Sequence, residues 1–210
     1  MKRYLLVSAL SVATVITLAG CGSDNEPATP ASEPTASTQE SSPSSTESGA
    51  EVSAEHNDAD AMFAQMMIPH HQQAVAMSDM MLVKDDINPK ITDLATRIKD
   101  AQGPEIDTMT SWLEAWDRPI MPEGGMEGHD MGGMDGMMDD DQMADLESAE
   151  ADDAARIFLE SMTEHHSGAI DMAQEELDNG ENPEAIALAG TIVETQQAEI
   201  REMEELLSEF

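Results

Sequence analysis

Two short segments of the sequence combine adjacent histidines with methionines. "MMIPHHQQAVAM" covers residues 66–77, and "MTEHHSGAIDM" covers residues 162–172. Neutral imidazole is a common metal ligand, and the thioether of methionine is a soft ligand that selects Cu(I) over hard cations. The shared pattern therefore predicts a site for a soft metal ion such as copper.

A helical wheel predicts where these histidines point. At about 100° per residue, His70 and His165 each fall on the core-facing stripe of their segment. His71 and His166 stand about 100° away, where they could reach a helix interface or water. We expect His70 and His165 to point into one interior. The two stripes consist of Phe63, Met67, His70, Ala74, Met77 and Met81, and of Phe158, Met162, His165, Ala169 and Met172.

Packing is the alternative explanation for these side chains. Methionine at helical spacing is usually flexible core filler, and a single core histidine is often a hydrogen-bonded structural residue. The same combination occurs twice at identical spacing, and the small Ala74 and Ala169 leave room beside the histidines. The repetition favours a metal site.

The two segments belong to a longer internal duplication. Residues 63–82 align with 158–177, and after a one-residue gap the register continues through Asn-Pro at 88–89 and 182–183. Apolar residues recur at spacings of three and four, which is typical of helices. Each repeat is therefore a helical hairpin, and two hairpins predict an all-α four-helix bundle with a pseudo-two-fold axis.

Two prolines interrupt the helical pattern of the first repeat. Pro69 lies in its first helix and Pro104 in its second, and each should kink the helix because it removes a backbone donor. The second repeat has Glu164 and Ala198 at these positions. Neither kink is essential to the predicted architecture.

The N-terminus has the features of a bacterial export signal. Lys2 and Arg3 precede a short apolar run, and "LAGC" at 18–21 resembles a lipobox. We expect residues 1–20 to be a signal peptide and Cys21 to be lipidated, anchoring the protein to the outer face of the cell membrane. Residues 21–58, rich in Ser, Thr, Pro and Glu, predict a disordered linker, and residues 59–210 form the bundle domain.

Composition excludes several other functions. The sequence has 44 acidic and 9 basic residues, for a formal net charge of -35. Nucleic-acid phosphates require a basic face, so a nucleic-acid partner is not expected. Cys21 is the only cysteine, which leaves neither a disulfide framework nor a thiolate metal site.

The connection between the repeats, at about 118–144, is rich in Met, Gly and Asp. We expect a mobile loop that cannot bury its methionines. Exposed thioethers invite oxidation, so a reason to keep them is capture of Cu(I) or its mimic Ag(I), whereas the alternative is a degenerate linker. The candidate ligands of the loop are Met126, His129, Met131, Met134, Met137 and Met138.

The two histidine segments, with the repeated Gln-x-x-Glu-Ile-x-x-Met pattern that follows each, resemble the family called domain of unknown function 305. The resemblance covers about residues 60–210. It implies an exported bacterial protein with a ferritin-like four-helix bundle, in a family linked to copper binding and copper tolerance. The ligand set that it implies is His70, His71, Met77, His165, His166 and Met172, with Met67 and Met162 as auxiliary ligands.

Three functions follow from these patterns. The first is a membrane-tethered, non-enzymatic protein that buffers, stores or transfers Cu(I), with a metal ion and a copper-handling protein as partners. The second is a ferritin-like redox enzyme, although the sequence lacks the Glu-x-x-His motif of di-iron bundles. The third is a metal-free helical module that binds another protein.

Overall fold

The computed structural model describes residues 53–121 and 135–210, which contain five helices. Four long helices form the bundle, and a short helix lies between the two hairpins. The prediction of an all-α bundle built from two hairpins is confirmed. The helices are α1 (Asp58–Leu82), α2 (Pro89–Ala115), α3 (Asp140–Ser148), α4 (Ala151–Asn179) and α5 (Pro183–Leu207).

The repeated Asn-Pro pairs begin the second helix of each hairpin. The Asn88 side chain accepts a hydrogen bond from the backbone of Lys90, and Pro89 opens α2. At the start of α5, the Asn182 side chain accepts hydrogen bonds from the backbone of Glu184 and Ala185, and Pro183 is the first helical residue. An asparagine cap supplies an acceptor for unpaired N–H groups, and proline is tolerated in the first turn because its missing N–H is not needed there.

Both internal prolines are accommodated within their helices. Pro69 lies inside α1 and Pro104 inside α2, and each helix continues past its proline. The proline removes one backbone donor without ending the helix.

The described end of the connection, residues 135–144, differs from the mobile loop that was predicted. A capping box between Asp139 and Gln142 begins α3, whose Leu146 is buried. Met138 is also buried, in the same apolar cluster as Leu146. The expectation that this segment cannot bury its methionines is therefore wrong for Met138, because the bundle, not the segment itself, supplies the apolar surface.

Residues 53–57, which were assigned to the linker, contact the bundle. Trp116 donates its indole N–H to the carbonyl of Ser53 at 3.0 Å, and the His56 ring stacks on Trp116 at 4.7 Å between centroids. Asn57 caps α1 through a capping box. The chain therefore joins the folded domain several residues before α1 begins.

The apolar core consists of two clusters. One contains Met77, Met162 and Met203 among its buried residues. The other contains Met67 and Met109. Four histidines lie in sequence between the two sets on α1 and α4, so a polar layer divides the core.

Within the described residues, no helix is both long and apolar enough to cross a membrane.

A buried carboxyl pair lies at one end of the bundle. Asp60 accepts backbone hydrogen bonds from Asn57 at 2.6 Å, from Glu181 at 3.0 Å and from Asn182 at 2.8 Å. Burial opposes ionisation of Asp60, but these bonds prevail and lower its pKa. Burial, followed by the neighbouring Asp60 carboxyl, raises the pKa of Glu176 to about 8. Glu176 is therefore protonated in the folded protein at neutral pH.

The change Glu176→Gln should remove a pH dependence of stability. The folded pKa of Glu176 lies above its ordinary value, so the folded state binds more protons than the unfolded state, and stability falls as pH rises to about 8. The variant should gain at least about 3 °C in Tm relative to the wild type between about pH 5 and about pH 9. Thermal unfolding across that range measures the difference.

Glu175→Gln is the matched control, because Glu175 is exposed on the same turn of α4. Its Tm should follow the wild type at every pH. Parallel curves for Glu176→Gln and the wild type would show that Glu176 ionises normally in the folded protein.

Candidate metal centre

The four paired histidines meet in the interior of the bundle. His70 and His71 on α1 and His165 and His166 on α4 are all 0% exposed. The rings of His70 and His165 face each other, with centroids 3.7 Å apart and an interplanar angle of 43°. The structure therefore brings these two histidines into one interior, as the helical wheel predicted.

The two shoulder histidines lie at helix interfaces. His71 Nε2 lies 2.7 Å from Glu105 Oε2, and His166 Nε2 lies 2.8 Å from Glu199 Oε2. In a neutral ring, Nε2–H donates to the carboxylate and leaves the lone pair on Nδ1. A carboxylate that orients an imidazole in this way is typical of metal-binding histidines.

Six imidazole nitrogens of this layer lack hydrogen-bond partners. They are both ring nitrogens of His70 and His165, and Nδ1 of His71 and His166. Buried polar groups are nearly always hydrogen-bonded, so unpaired ones require an explanation. Six lone-pair or N–H positions in one layer make it the candidate ligand site of the described residues.

Electrostatics keep the central rings neutral. Burial, followed by repulsion from His71, lowers the pKa of His70 to about 3. Burial, followed by repulsion from His70, holds the pKa of His165 well below its ordinary value. Neutral imidazole is the form that binds metal ions, so both rings are in the ligand form at physiological pH.

Sequence reasoning missed two glutamines near this layer. Gln102 and Gln196 are buried, and each has at least one amide atom without a partner. They precede Glu105 and Glu199 by three residues, which places each one helical turn from a carboxylate that contacts a histidine. The signal that could have found them is the repeated Gln-x-x-Glu-Ile-x-x-Met pattern at 102–109 and 196–203.

Methionines flank the histidine layer on both sides. Met67, Met77 and Met162 are fully buried, and Met172 is half-buried. Met67 packs in the same cluster as Met172, and Met77 packs in the same cluster as Met162, so α1 and α4 are antiparallel. Each side of the layer therefore receives a thioether from each repeat.

Distance along the helix separates these methionines into two groups. Met67 precedes His70 by three residues, about 4.5 Å along the axis, whereas Met77 follows it by about 10.5 Å. The same spacings hold for Met162 and Met172 about His165. Met67 and Met162, which the family resemblance ranks as auxiliary, thus lie nearer to the histidine layer.

The other predicted ligands divide into two groups. Met137 is half-buried and Met138 is buried, both just before α3. The rest lie outside the described residues, as does the lipidation site, Cys21. These residues are Met126, His129, Met131 and Met134.

The donors present fit a soft metal better than a hard one. Within residues 53–121 and 135–210, no three His, Cys, Asp or Glu side chains are arranged to hold a metal ion. His70 and His165 supply two imidazoles, and Met67 and Met162, one helical turn away along the chain, are the soft side chains nearest to them in sequence. That mixture suits Cu(I) and Ag(I), whereas hard cations require several oxygen ligands.

Comparison with known proteins identifies the family. The model of the domain of unknown function 305 (DUF305) matches residues 60–207. The chain belongs to the DUF305 family. No functionally curated protein matches the sequence.

Two solved DUF305 structures share the fold. A protein from Streptomyces coelicolor, described as secreted, is 36% identical, with a TM-score of 0.65 over 72% of this chain and 91% of that one. A DUF305 fragment from Deinococcus radiodurans is 32% identical, also with a TM-score of 0.65, over 73% of this chain and 98% of that one. The helical bundle of this chain is thus the fold of its family.

A third similar structure is a copper complex. CopM in its Cu(II)-bound form is 34% identical to this chain, with a TM-score of 0.61 over 71% of this chain and 96% of CopM. CopM structures also exist in Cu(I)-bound, Ag-bound and apo forms. A member of this structural group therefore binds the metals that the donor set of the histidine layer suits.

Replacing His70 and His165 together by Leu should not destabilise the metal-free protein. A buried polar group without a partner costs about 1–3 kcal/mol, so removal of both rings should leave Tm unchanged or raise it by a few degrees. Differential scanning calorimetry in the presence of a chelator measures this.

The contrasting variant replaces His71 and His166 by Leu. It should lower Tm, because it removes the hydrogen bonds to Glu105 and Glu199. A loss of Tm in the His70/His165 variant as large as in this one would mean that the central rings are structural.

Proposed function

We propose that this protein binds Cu(I) in the histidine layer and buffers, stores or transfers it outside the cytoplasm. The observation that carries the proposal is the facing pair of His70 and His165. The two rings are neutral and fully buried, and they have four nitrogens without hydrogen-bond partners. Burying such a pair in an apolar core costs free energy, whereas its free nitrogens can bind a metal ion.

The surrounding side chains support the choice of metal. Met67 and Met162 lie one turn from the central histidines and supply soft sulfur ligands. Glu105 and Glu199 orient the outer rings so that Nδ1 of each is free of a partner. The Cu(I)-bound and Ag-bound forms of CopM support the same metal class for this chain.

The donor set fits a non-catalytic metal-binding role better than it fits the active site of a redox enzyme. Di-iron bundles use inward Glu and Glu-x-x-His ligands, but here Glu105 and Glu199 are already engaged by His71 and His166. A metal-free helical module, the third possibility, leaves the unpartnered nitrogens of His70 and His165 unexplained. We therefore propose a non-catalytic copper protein with a copper-handling protein as its exchange partner.

The proposed location is the outer face of the cell membrane. The "LAGC" sequence supports lipidation of Cys21, and the Streptomyces coelicolor relative is described as secreted. In this proposal, residues 21–52 tether the bundle, and the methionines at 126–137 collect metal for the histidine layer.

Metal loading tests the binding site. The protein loaded with Cu(I) under reducing conditions should retain copper, and His70→Leu combined with His165→Leu should lose at least one equivalent, as measured by inductively coupled plasma mass spectrometry. Silver should raise the Tm of the wild type, because a ligand that binds only the folded state adds about 2.7 kcal/mol at 100 times its Kd.

His56→Leu is the control for a histidine outside the layer, since His56 stacks on Trp116 at the end of the bundle. It should retain all of its copper. Equal copper content in the His70/His165 variant and the wild type would refute the proposed site.

The change Cys21→Ser tests the anchor. Without the cysteine thiol no lipid can be attached at the lipobox, so the protein should move from the membrane fraction to the soluble fraction of host cells. Immunoblotting of the two fractions measures this. Retention in the membrane fraction of a serine variant that has lost residues 1–20 would contradict a lipid anchor at Cys21.

A further inference from the structure

The connection between the hairpins returns to the bundle beside the histidines. The backbone N–H of Met138 donates to Gln73 Oε1 at 2.9 Å, and Gln73 Nε2 donates to the carbonyl of Met138 at 2.8 Å. The Gln73 side-chain amide thus binds both the backbone N–H and the backbone carbonyl of Met138. Gln73 follows His70 by three residues on α1, so this attachment lies one helical turn from the site.

Two glycines let the same segment touch the backbone of α4. A Cβ on Gly136, which has a φ of +86°, would lie 2.2 Å from the carbonyl oxygen of Glu164 and 2.9 Å from the Cα of His165. A Cβ on Gly168 would lie 1.6 Å from the carbonyl oxygen of Asp135. Only glycine permits such an approach of two backbones. We call Asp135–Met138 the strap.

The strap breaks the symmetry of the repeats at the level of the histidines. Gln73 and Gly168 occupy equivalent positions, three residues after the first histidine of each pair. In α1, Gln73 at this position binds the strap through hydrogen bonds. In α4, Gly168 at this position has no side chain that would collide with the strap. The strap therefore lies across the seam between α1 and α4 beside His70 and His165, whose side chains are 0% exposed.

We propose that the strap is the access cover of the histidine layer. Metal reaches His70 and His165 when Asp135–Met138 leaves the seam, and the return of the strap closes the site. This inference rests on the proposed metal-binding function. It adds the route by which the metal ion enters the site, and it assigns Gln73, Gly136 and Gly168 to the control of access to His70 and His165.

The strap is easier to displace than any wall of the bundle. Gln73 attaches it to α1 through two hydrogen bonds, whereas α1, α2, α4 and α5 are long helices that share the core. Segments with few bonds open locally at small free-energy cost. Burial of the Met138 side chain, which is 6% exposed, keeps the closed state dominant.

Two variants release the strap without changing a histidine. Gln73→Ala removes both hydrogen bonds, and Gly168→Ala places a methyl group where the carbonyl of Asp135 lies. Gly190→Ala is the matched control, because its Cβ would meet nothing closer than 4.0 Å in a helix of the same bundle. If Gly168→Ala does not fold, Gln73→Ala alone still tests the proposal, since it adds no atoms.

The first readout needs no metal. Diethyl pyrocarbonate modifies accessible neutral imidazoles, and peptide mass spectrometry separates the layer histidines from His56. In metal-free protein, Gln73→Ala and Gly168→Ala should raise the modification rate of His70 and His165 by on the order of tenfold, the effect of losing one or two hydrogen bonds. Gly190→Ala should match the wild type. His56 serves as the internal reference.

The second readout is the kinetics of Ag(I) binding by stopped flow. Both strap variants should bind and release silver several-fold faster than the wild type and Gly190→Ala. Unchanged modification and silver rates in both variants would overturn the strap as an access cover, and would direct attention to a route beside Glu105 or Glu199. Faster modification with no silver binding in any protein would instead overturn the proposed function while leaving the strap as the cover of the histidines.

Discussion

Six buried imidazole nitrogens without hydrogen-bond partners impose the central constraint on this bundle. A core of this size could have been filled with leucine, but the layer at His70 and His165 divides the apolar interior into two clusters. Unpaired polar atoms in a low-dielectric interior are costly. Stability must therefore come from the apolar clusters on either side, and the layer itself costs free energy unless a ligand supplies the missing interactions.

Duplication provides the geometry that this layer requires. One hairpin contributes a His pair, a glutamine and a glutamate, and the antiparallel packing of α1 on α4 brings two such sets together. The His71–Glu105 and His166–Glu199 pairs are nearly identical in length, at 2.7 and 2.8 Å. A pseudo-two-fold axis thus produces matched donors from one repeated pattern, as expected of bundles that place metal sites between facing helices.

The repeats depart from symmetry at two places with structural consequences. Glycine replaces glutamine at position 168, and the strap occupies the space that results. The buried carboxyl pair of Asp60 and Glu176 is a second departure, since the residue aligned with Glu176 in the first repeat is Met81. It joins the start of α1 to the α4–α5 turn, at the end of the bundle where residues 53–57 dock.

The local sequence pattern was sufficient to predict the helices, the two hairpins and the direction of His70 and His165. Helical periodicity and repeat alignment depend only on the order of residues. It could not reveal the contacts of Glu105 with His71 or of Gln73 with Met138, because these pairs are 34 and 65 residues apart and meet only after the hairpins pack. The burial of Met138 was missed for the same reason. Its apolar partners are on other helices, so its environment is a property of the assembled bundle.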